Sequence, residues 1–431
     1  MNLSEAVVLR PDVVLERTGE GGYRLASRSG ALRHHVGPAT DPSTLEALAT
    51  AGMPFDDDGP VTHLWRQGWL SLVVSRDGGP VLTLHPQSCP PPRPPGGGSG
   101  RPLSELVVLR RTGPEYALES ARAWCSVRVA GPEDLAALLA GEEELGRYLD
   151  WAGMTSDEAE SAQLTTAQWT PHELAFHQQT RIPGAHRSAG FGRSSWGKDR
   201  FAELPARHER FRGEGIALAK PDLAELRRSD QTVTAVLEKR RTVRDHDEAS
   251  PLTVLQLGHL LYRCARNRWL VEREGSEFLS RPYPSGGSAY ELEIYPVVRN
   301  VAGLDPGLYH YDPQEHRLRP VSDRVGDLLA HAALVAGTER RPQVLLVITA
   351  RFGRLMRTYR GMSYALILKH VGVVQQLIYT VATAMGLAVC ALGDGDATAF
   401  AAATGLDPLA EASVGELVLG SRPGRANGGG V

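Results

Sequence analysis

The segment Pro90-Pro91-Pro92-Arg93-Pro94-Pro95-Gly96-Gly97-Gly98-Ser99-Gly100 constrains this chain most, because no compact element can pass through it. Polyproline lacks N–H donors and polyglycine has no side chain to bury, so residues 90–100 read as an exposed linker. The sequence on its two sides repeats. Val13-Val14-Leu15-Glu16-Arg17-Thr18-Gly19 returns as Val107-Val108-Leu109-Arg110-Arg111-Thr112-Gly113, at an offset of 94 residues. At the same offset Gly37-Pro38 returns as Gly131-Pro132, each followed by leucines at helical spacing (Leu45 and Leu48; Leu135, Leu138 and Leu139). Each copy reads strand, glycine turn, strand, short polar stretch, then a helix opened by proline. Residues 69–74 and 81–84 flank Asp77-Gly78-Gly79, the pattern of a hairpin. The expectation is an α+β chain that begins with two small winged-helix-like modules, over 1–89 and 101–165. Such modules either pack passively on a neighbouring domain or keep an open strand edge that binds an extended peptide. The sequence does not choose between these roles, nor between the copies.

Composition narrows the function classes. The chain has 431 residues, 42% hydrophobic and 23% charged, enough for more than one buried core. A net charge of −3 argues against nucleic acid or an anionic membrane as the main partner. Cys89, Cys125, Cys264 and Cys390 lie far apart, which suits neither a zinc site nor a disulfide framework and fits the reducing cytoplasm. The start lacks a basic segment followed by an apolar one, so no secretory signal is expected. No apolar run is expected to reach the roughly 18 residues that span a bilayer.

Residues 166–230 read as a polar connector. Within it His172-Glu173-Leu174-Ala175-Phe176-His177 invites a zinc-protease reading, but its histidines are five apart, about 140° around a helix, not the four that HExxH needs. From 231 to 422 the pattern is a compact α+β domain. It has helices over 233–239 and 252–263 (Leu255, Leu257, Leu260 and Leu261 buried), strands at 291–298, 307–311, 344–348 and 416–420, and a long helix over 363–385, apolar on nearly every side. A helix apolar all round is buried in a core or at a subunit interface. Residues 423–431 read as a disordered tail.

Three segments of this domain suit an anion and a flat ring. Lys239-Arg240-Arg241-Thr242-Val243-Arg244 offers guanidinium forks and a hydroxyl to a phosphate, although basic helix ends also simply complement the helix dipole. Arg281-Pro282-Tyr283-Pro284-Ser285-Gly286-Gly287-Ser288 is either a plain turn or one whose glycines let a ligand approach the backbone. Gly386 to Asp396 reads as a helix end running into a glycine loop. No GxGxxG follows a strand, so a nicotinamide fingerprint is missing.

In their order and spacing, Arg240-Arg241-Thr242-Val243-Arg244, Arg281-Pro282-Tyr283-Pro284-Ser285-Gly286-Gly287, Tyr364-Ala365-Leu366-Ile367-Leu368-Lys369-His370-Val371-Gly372 and Cys390-Ala391-Leu392-Gly393 resemble the SagB-type dehydrogenases. These are FMN enzymes of the nitroreductase superfamily that oxidise thiazolines and oxazolines to azoles in ribosomally made peptides. The likeness covers 231–422, and more loosely Trp169 to His177. It implies a C-terminal nitroreductase-like FMN domain, with the phosphate and ribityl chain held by Arg240, Arg241, Thr242 and Arg244. It implies Pro284, Ser285, Gly286 and Gly287 against the isoalloxazine, reaching across a homodimer, with Leu392, Gly393 and Gly395 near the ring and phosphate. It also implies a leader-bearing precursor peptide and a cyclodehydratase as partners.

Azoline oxidation takes one ring hydrogen as hydride and its neighbour as a proton, so a base must face the flavin across the substrate. The resemblance assigns that role to a Lys-Tyr pair, and the matching positions here are Thr358-Tyr359. Tyr359 is retained and the lysine is not. A phenol, with a pKa of about 10, needs positive charge nearby to act as a base, for which Arg357, Arg360 and Lys369 are the candidates. Two other readings compete: a precursor-binding scaffold that has lost the chemistry, and a nitro- or quinone reductase.

Overall fold

A computed structural model describes residues 3–18, 22–27, 33–36, 40–56, 58–92, 101–156, 160, 162–181, 196–197, 200–209, 211–273 and 276–424. Gly37-Pro38, most of the expected linker (93–100) and the tail from 425 lie outside these residues. The chain divides into two compact units, Met1–Ser194 and Ser195–Val431.

In the first unit the duplication is visible as two runs of three strands and two helices. The first run is β2 (Val13–Arg17), β3 (Tyr23–Ser27), β4 (Arg33–Val36), α1 (Pro42–Thr50) and α2 (Pro60–Arg66), preceded by β1 (Leu3–Leu9) and followed by the hairpin β5 (Leu70–Arg76) and β6 (Gly79–Pro86). The second run is β7 (Val108–Thr112), β8 (Glu115–Glu119), β9 (Cys125–Val129), α3 (Pro132–Leu139) and α4 (Glu143–Ala152). Helices α5 (Leu164–Ala167) and α6 (Pro171–Arg181) follow, and α6 carries His172 and His177. The "short polar stretch" of each copy is therefore a third strand, and the first helix opens at Pro42, behind its Asp41 cap, rather than at Pro38. The hairpin turn has Asp77 at φ 51° and Gly78 at φ 84°, the left-handed pair that a two-residue turn demands.

The two modules are not independent bodies. Strand β6 of the first copy pairs with β9 of the second (Leu82 opposite Val129), giving one sheet in the order β1-β5-β6-β9-β8-β7. Their cores are also one, with Leu45, Leu72 and Leu84 clustered with Val127, Leu135 and Tyr148. Trp65 of the first copy stacks on Trp151 at 5.9 Å and meets the edge of Trp124 at 5.8 Å, both from the second. A module of such length buries too little apolar surface alone, and sharing a sheet and an aromatic cluster corrects that deficit.

The second unit is built on an antiparallel sheet of seven strands: β10 (Ile216–Ala217), β13 (Leu292–Val298), β14 (Gly307–Asp312), β15 (Arg317–Ser322), β16 (Val344–Arg351), β17 (Leu387–Ala391) and β18 (Glu411–Ser421), in the order β10-β15-β14-β13-β16-β18-β17. The separate hairpin β11 (Trp269–Arg273) and β12 (Ser276–Ser280) leads into the turn described below. Its helices are α7 (Leu223–Ser229), α8 (Val233–Lys239), α9 (Val254–Ala265), α10 (Gly326–Ala336), α11 (Phe352–Met356), α12 (Ser363–Ala384) and α13 (Ala397–Thr404). Strand alternation divides the core: Leu346 and Ile348 join α9 and α12 on one face, while Leu345 and Val347 join α10 and α13 on the other. Helix α9 buries Leu257, Leu260 and Leu261. Leu255, two residues before that stripe and so on the far side of the helix, is 50% exposed instead of buried.

Helix α12 has 22 residues, with a mean hydropathy of 1.4 over an 18-residue window, long and apolar enough to cross a bilayer, contrary to expectation. Its Ile367, Val371, Val374 and Ile378 lie in the core of this unit, whereas Tyr364, Leu368 and Val373 are exposed. The expected connector differs too. Arg354 donates to the Leu204 carbonyl (2.6 Å), Arg351 to that of Pro205 (2.8 Å), and β10 pairs with β15, so this stretch is strapped onto the sheet. Backbone carbonyls carry the strap, which leaves no pattern in side-chain hydropathy.

The head of β13 holds a buried ionic cluster. Arg281 donates to the Leu292 carbonyl (2.5 Å), Tyr283 Oη (3.1 Å) and Asn267 (3.1 Å), and lies 3.6 Å from Glu293. Glu293, 1% exposed, is also 3.7 Å from Arg351 and 3.2 Å from His310. Burial opposes its charge, but Arg281, His310 and Arg351 prevail and hold the carboxyl at about 2. Arg281→Met should therefore cost about 3–5 kcal/mol, seen as a lower urea midpoint, by leaving this carboxylate uncompensated. Because the folded pKa is depressed, the stabilisation is full above the ordinary 4.5 and is lost as pH falls toward 2. Glu293→Gln should flatten that slope of unfolding free energy against pH.

Candidate active site

Immediately after Arg281 the chain makes a tight turn. Ser285 Oγ accepts from the Tyr290 amide (3.0 Å) and donates to Glu291 Oε2 (3.1 Å). The Gly286 amide donates to His370 Nε2 on α12 (3.0 Å), and His370 Nδ1 lies 2.6 Å from Glu291 Oε1. Ser288 and Ala289 amides bond back to Ser285 and Gly286 carbonyls, both at 3.2 Å. Gly287 (φ 60°), Ser288 (φ 56°) and Tyr290 (φ 45°) are left-handed, a strained state for the last two. A Cβ on Gly287 would come 2.9 Å from Tyr359 Oη, and one on Gly286 would come 2.8 Å from Leu366. The glycines are thus required by close approach. Pro284 and Gly287 form the exposed lip, and the Gly287 amide has no hydrogen-bond partner among the described residues.

A second group gathers where β17 ends. The Val243 amide donates to the Val389 carbonyl (3.0 Å), tying residues 240–244 to this edge strand. Thr242 Oγ1 lies 3.3 Å from Tyr379 Oη, Arg240 sits 5.7 Å over the Tyr379 ring, and Tyr379 Oη accepts from the Ala391 amide (2.8 Å). Burial pushes the Cys390 thiol up, while Arg244, hydrogen-bonded to it, works the other way. Leu392 and the exposed Gly393 follow directly. Gly395 is pressed against the Glu416 carboxylate, where a Cβ would overlap it. The expected helix-to-loop run is instead a helix end at Gly386 (φ 70°), the strand β17, and then the loop. Arg240, Arg241 and Arg244 are exposed and have no carboxylate partner among the described residues. Three uncompensated guanidiniums and a hydroxyl are the donor set that a phosphate monoester needs.

The third group is mixed. Tyr359, 9% exposed, lies against the glycine turn as its sequence position suggested. Arg357 is directed elsewhere: it donates to the Phe201 carbonyl (2.9 Å) and to Glu203 (3.2 Å). Arg360 lies 5.5 Å over the Trp196 ring. Lys369 is exposed on α12 and makes no ion pair among the described residues. Sequence reading missed Glu291, His370 and Tyr379. Their partners lie far away in sequence, and the one available signal was a pair of carboxylates, Glu291 and Glu293, opening an otherwise apolar strand. Along α12, His370 and Tyr379 are nine residues apart, about 14 Å at helical rise, and this separates the turn from the arginines within one chain.

Comparison with known proteins agrees with this geometry. The model of the Nitroreductase family matches residues 237–421. A protein of Methanocaldococcus jannaschii described as a nitroreductase is 34% identical over 182 residues, covering 42% of this chain and 85% of its own length. The trifolitoxin-processing protein TfxB of Rhizobium leguminosarum is 31% identical over 106 residues, 23% of this chain and 28% of the relative. The microcin B17-processing protein McbC of Escherichia coli is 31% identical over 113 residues, 25% of this chain and 42% of the relative. The chain thus spans less than half the length of either processing protein. Because the match takes in the second unit's sheet, its arginine segment and its glycine turn, and covers most of one relative, the chain belongs to the nitroreductase family.

Proposed function

We propose that this protein is an FMN-dependent dehydrogenase that oxidises thiazolines or oxazolines to azoles in a ribosomally made, leader-bearing peptide. The observation that carries the reading is Tyr359, whose phenol is buried against the Gly286-Gly287 turn in a nitroreductase-family domain. Similarity to two peptide-processing proteins supports a peptide substrate. On this reading a cyclodehydratase acts before this enzyme, in the cytoplasm. FMN would be held through its phosphate by Arg240, Arg241, Thr242 and Arg244, with Leu392, Gly393 and Gly395 beside it, and would supply the two-electron acceptor, turned over by dioxygen.

This chain's residues handle the proton and the fit. Gly286 and Gly287, following Pro284 and Ser285, leave the turn's backbone free of side-chain bulk, which suits the approach of a flat ring. The 14 Å offset along α12 favours a homodimer in which one protomer's turn completes the other's flavin site, with the exposed face of α12 between them. Tyr359 Oη would take the ring proton as the phenolate and so become the neutral phenol. Arg357 acts through the Glu203 and Phe201 contacts, which hold the backbone next to the tyrosine. Lys369, exposed on α12, is the rival base.

Purified protein should be yellow and release FMN near one per chain; a colourless chain that refuses FMN would favour the scaffold reading. Anaerobic bleaching by a cyclised peptide but not by NADH alone separates the dehydrogenase from a nitro- or quinone reductase. Arg240→Ala or Arg244→Ala should each weaken FMN binding about tenfold or more in a fluorescence titration, the loss of one charge-assisted bond of about 1.5–3 kcal/mol. Tyr359→Phe should keep FMN and lose azole formation by about a hundredfold or more, by mass spectrometry of the peptide. If instead Lys369→Met abolishes the reaction and Tyr359→Phe does not, the proton goes to the lysine.

A further inference from the structure

We infer that His370, oriented by Glu291, is the positioning residue that locks the 285–290 turn in its strained form and so sets the close contact between Gly287 and Tyr359. The inference rests on the flavin-site reading above for its purpose, but not for its geometry. An amide can only donate, so the Gly286 N–H requires an unprotonated Nε2 on His370. The ring hydrogen then sits on Nδ1 and donates to Glu291 Oε1 at 2.6 Å. The other Glu291 oxygen accepts from Ser285 Oγ at 3.1 Å, and that hydroxyl accepts from the Tyr290 amide at 3.0 Å. Every donor and acceptor in this circuit has one assignment. It starts on the backbone at Gly286 and returns to it at Tyr290, enclosing all three left-handed residues of the turn.

Burial makes the circuit rigid. Glu291 is 0% and His370 is 7% exposed, so water offers no alternative partner at low cost. Left-handed Ser288 and Tyr290 would relax if the two ends were released. With the ends held, Gly287 packs against Tyr359, where a Cβ would come 2.9 Å from Oη. His370 therefore touches neither flavin nor substrate. It acts through the backbone it holds, which makes it a positioning rather than a catalytic residue.

The test uses full-length protein stripped of flavin, and compares wild type with His370→Leu, His370→Gln and Ser285→Ala by amide hydrogen exchange over residues 284–291. Losing the acceptor in His370→Leu should raise exchange there about tenfold, with β16 and the rest of α12 unchanged. His370→Gln, whose Oε1 can replace Nε2, should restore protection. Ser285→Ala should free the Tyr290 end and not the Gly286 end, and it serves as the informative variant if His370→Leu does not fold. On FMN addition, His370→Leu should bind about tenfold more weakly and blur the flavin's visible band, and His370→Gln should recover both. Unchanged exchange in His370→Leu, or equal damage in His370→Gln with native circular dichroism, would overturn the inference. Wild-type protein that binds no FMN yet shows the predicted exchange pattern would sink the flavin reading alone.

Discussion

Two carboxylates buried at the head of one strand set the terms for the second unit. Glu291 and Glu293, two residues apart, cannot be neutralised by solvent, so their charges must be met from inside the chain. Glu293 draws in Arg281, Arg351 and His310 from three strands or loops distant in sequence. Glu291 draws in Ser285 and, through His370, the long helix α12. A single strand end thereby fixes both flanks of the glycine turn: Arg281 holds its approach and His370 its apex. Apolar packing could bury the same area, but it would not dictate the direction of each backbone amide as these hydrogen bonds do.

Placing the Tyr359 phenol beside this turn then needs little more. Tyr359 follows α11, whose Arg354 donates to the carbonyls of Ala289 (2.9 Å) and Leu204 (2.6 Å). The element before the tyrosine is thus pinned to the end of the same turn. Arg351 links the two, since it lies near Glu293 while donating to Pro205 and Ala206 carbonyls. Tyrosine, turn and strap share one set of guanidinium contacts, so a displacement of any of them would be felt by the others.

How much of this was legible in the sequence follows from the range of each interaction. Strands β13 and β16 stood out because they are buried on both faces and read as apolar runs, unbroken over Val344–Ile348 in β16 and interrupted only by Glu293 in β13. Helix α12 stood out by length, and the hairpin after Trp69 by its Asp-Gly turn. The duplication in the first unit was visible as a repeat, yet pairing of β6 with β9 was not, because register between strands some 45 residues apart leaves no local mark. At the site, glycines and arginines were readable because turns and basic clusters are local. Glu291, His370 and Tyr379 act over separations of 79 residues and more than a hundred, as with Thr242 and Tyr379, and only the fold brings them together.

The same distinction bears on the missing lysine. Thr358 stands where the resembling enzymes pair a lysine with the tyrosine, and the cations that sequence offered in its place are committed elsewhere or exposed. Arg357 serves Glu203, Arg360 lies over Trp196, and Lys369 faces solvent on α12. What adjoins the phenol is backbone, at Gly287, where a Cβ would come 2.9 Å from Tyr359 Oη. The position of the phenol is therefore tied to how the turn is held, through the bonds at Gly286 and Tyr290 that keep Ser288 and Tyr290 left-handed.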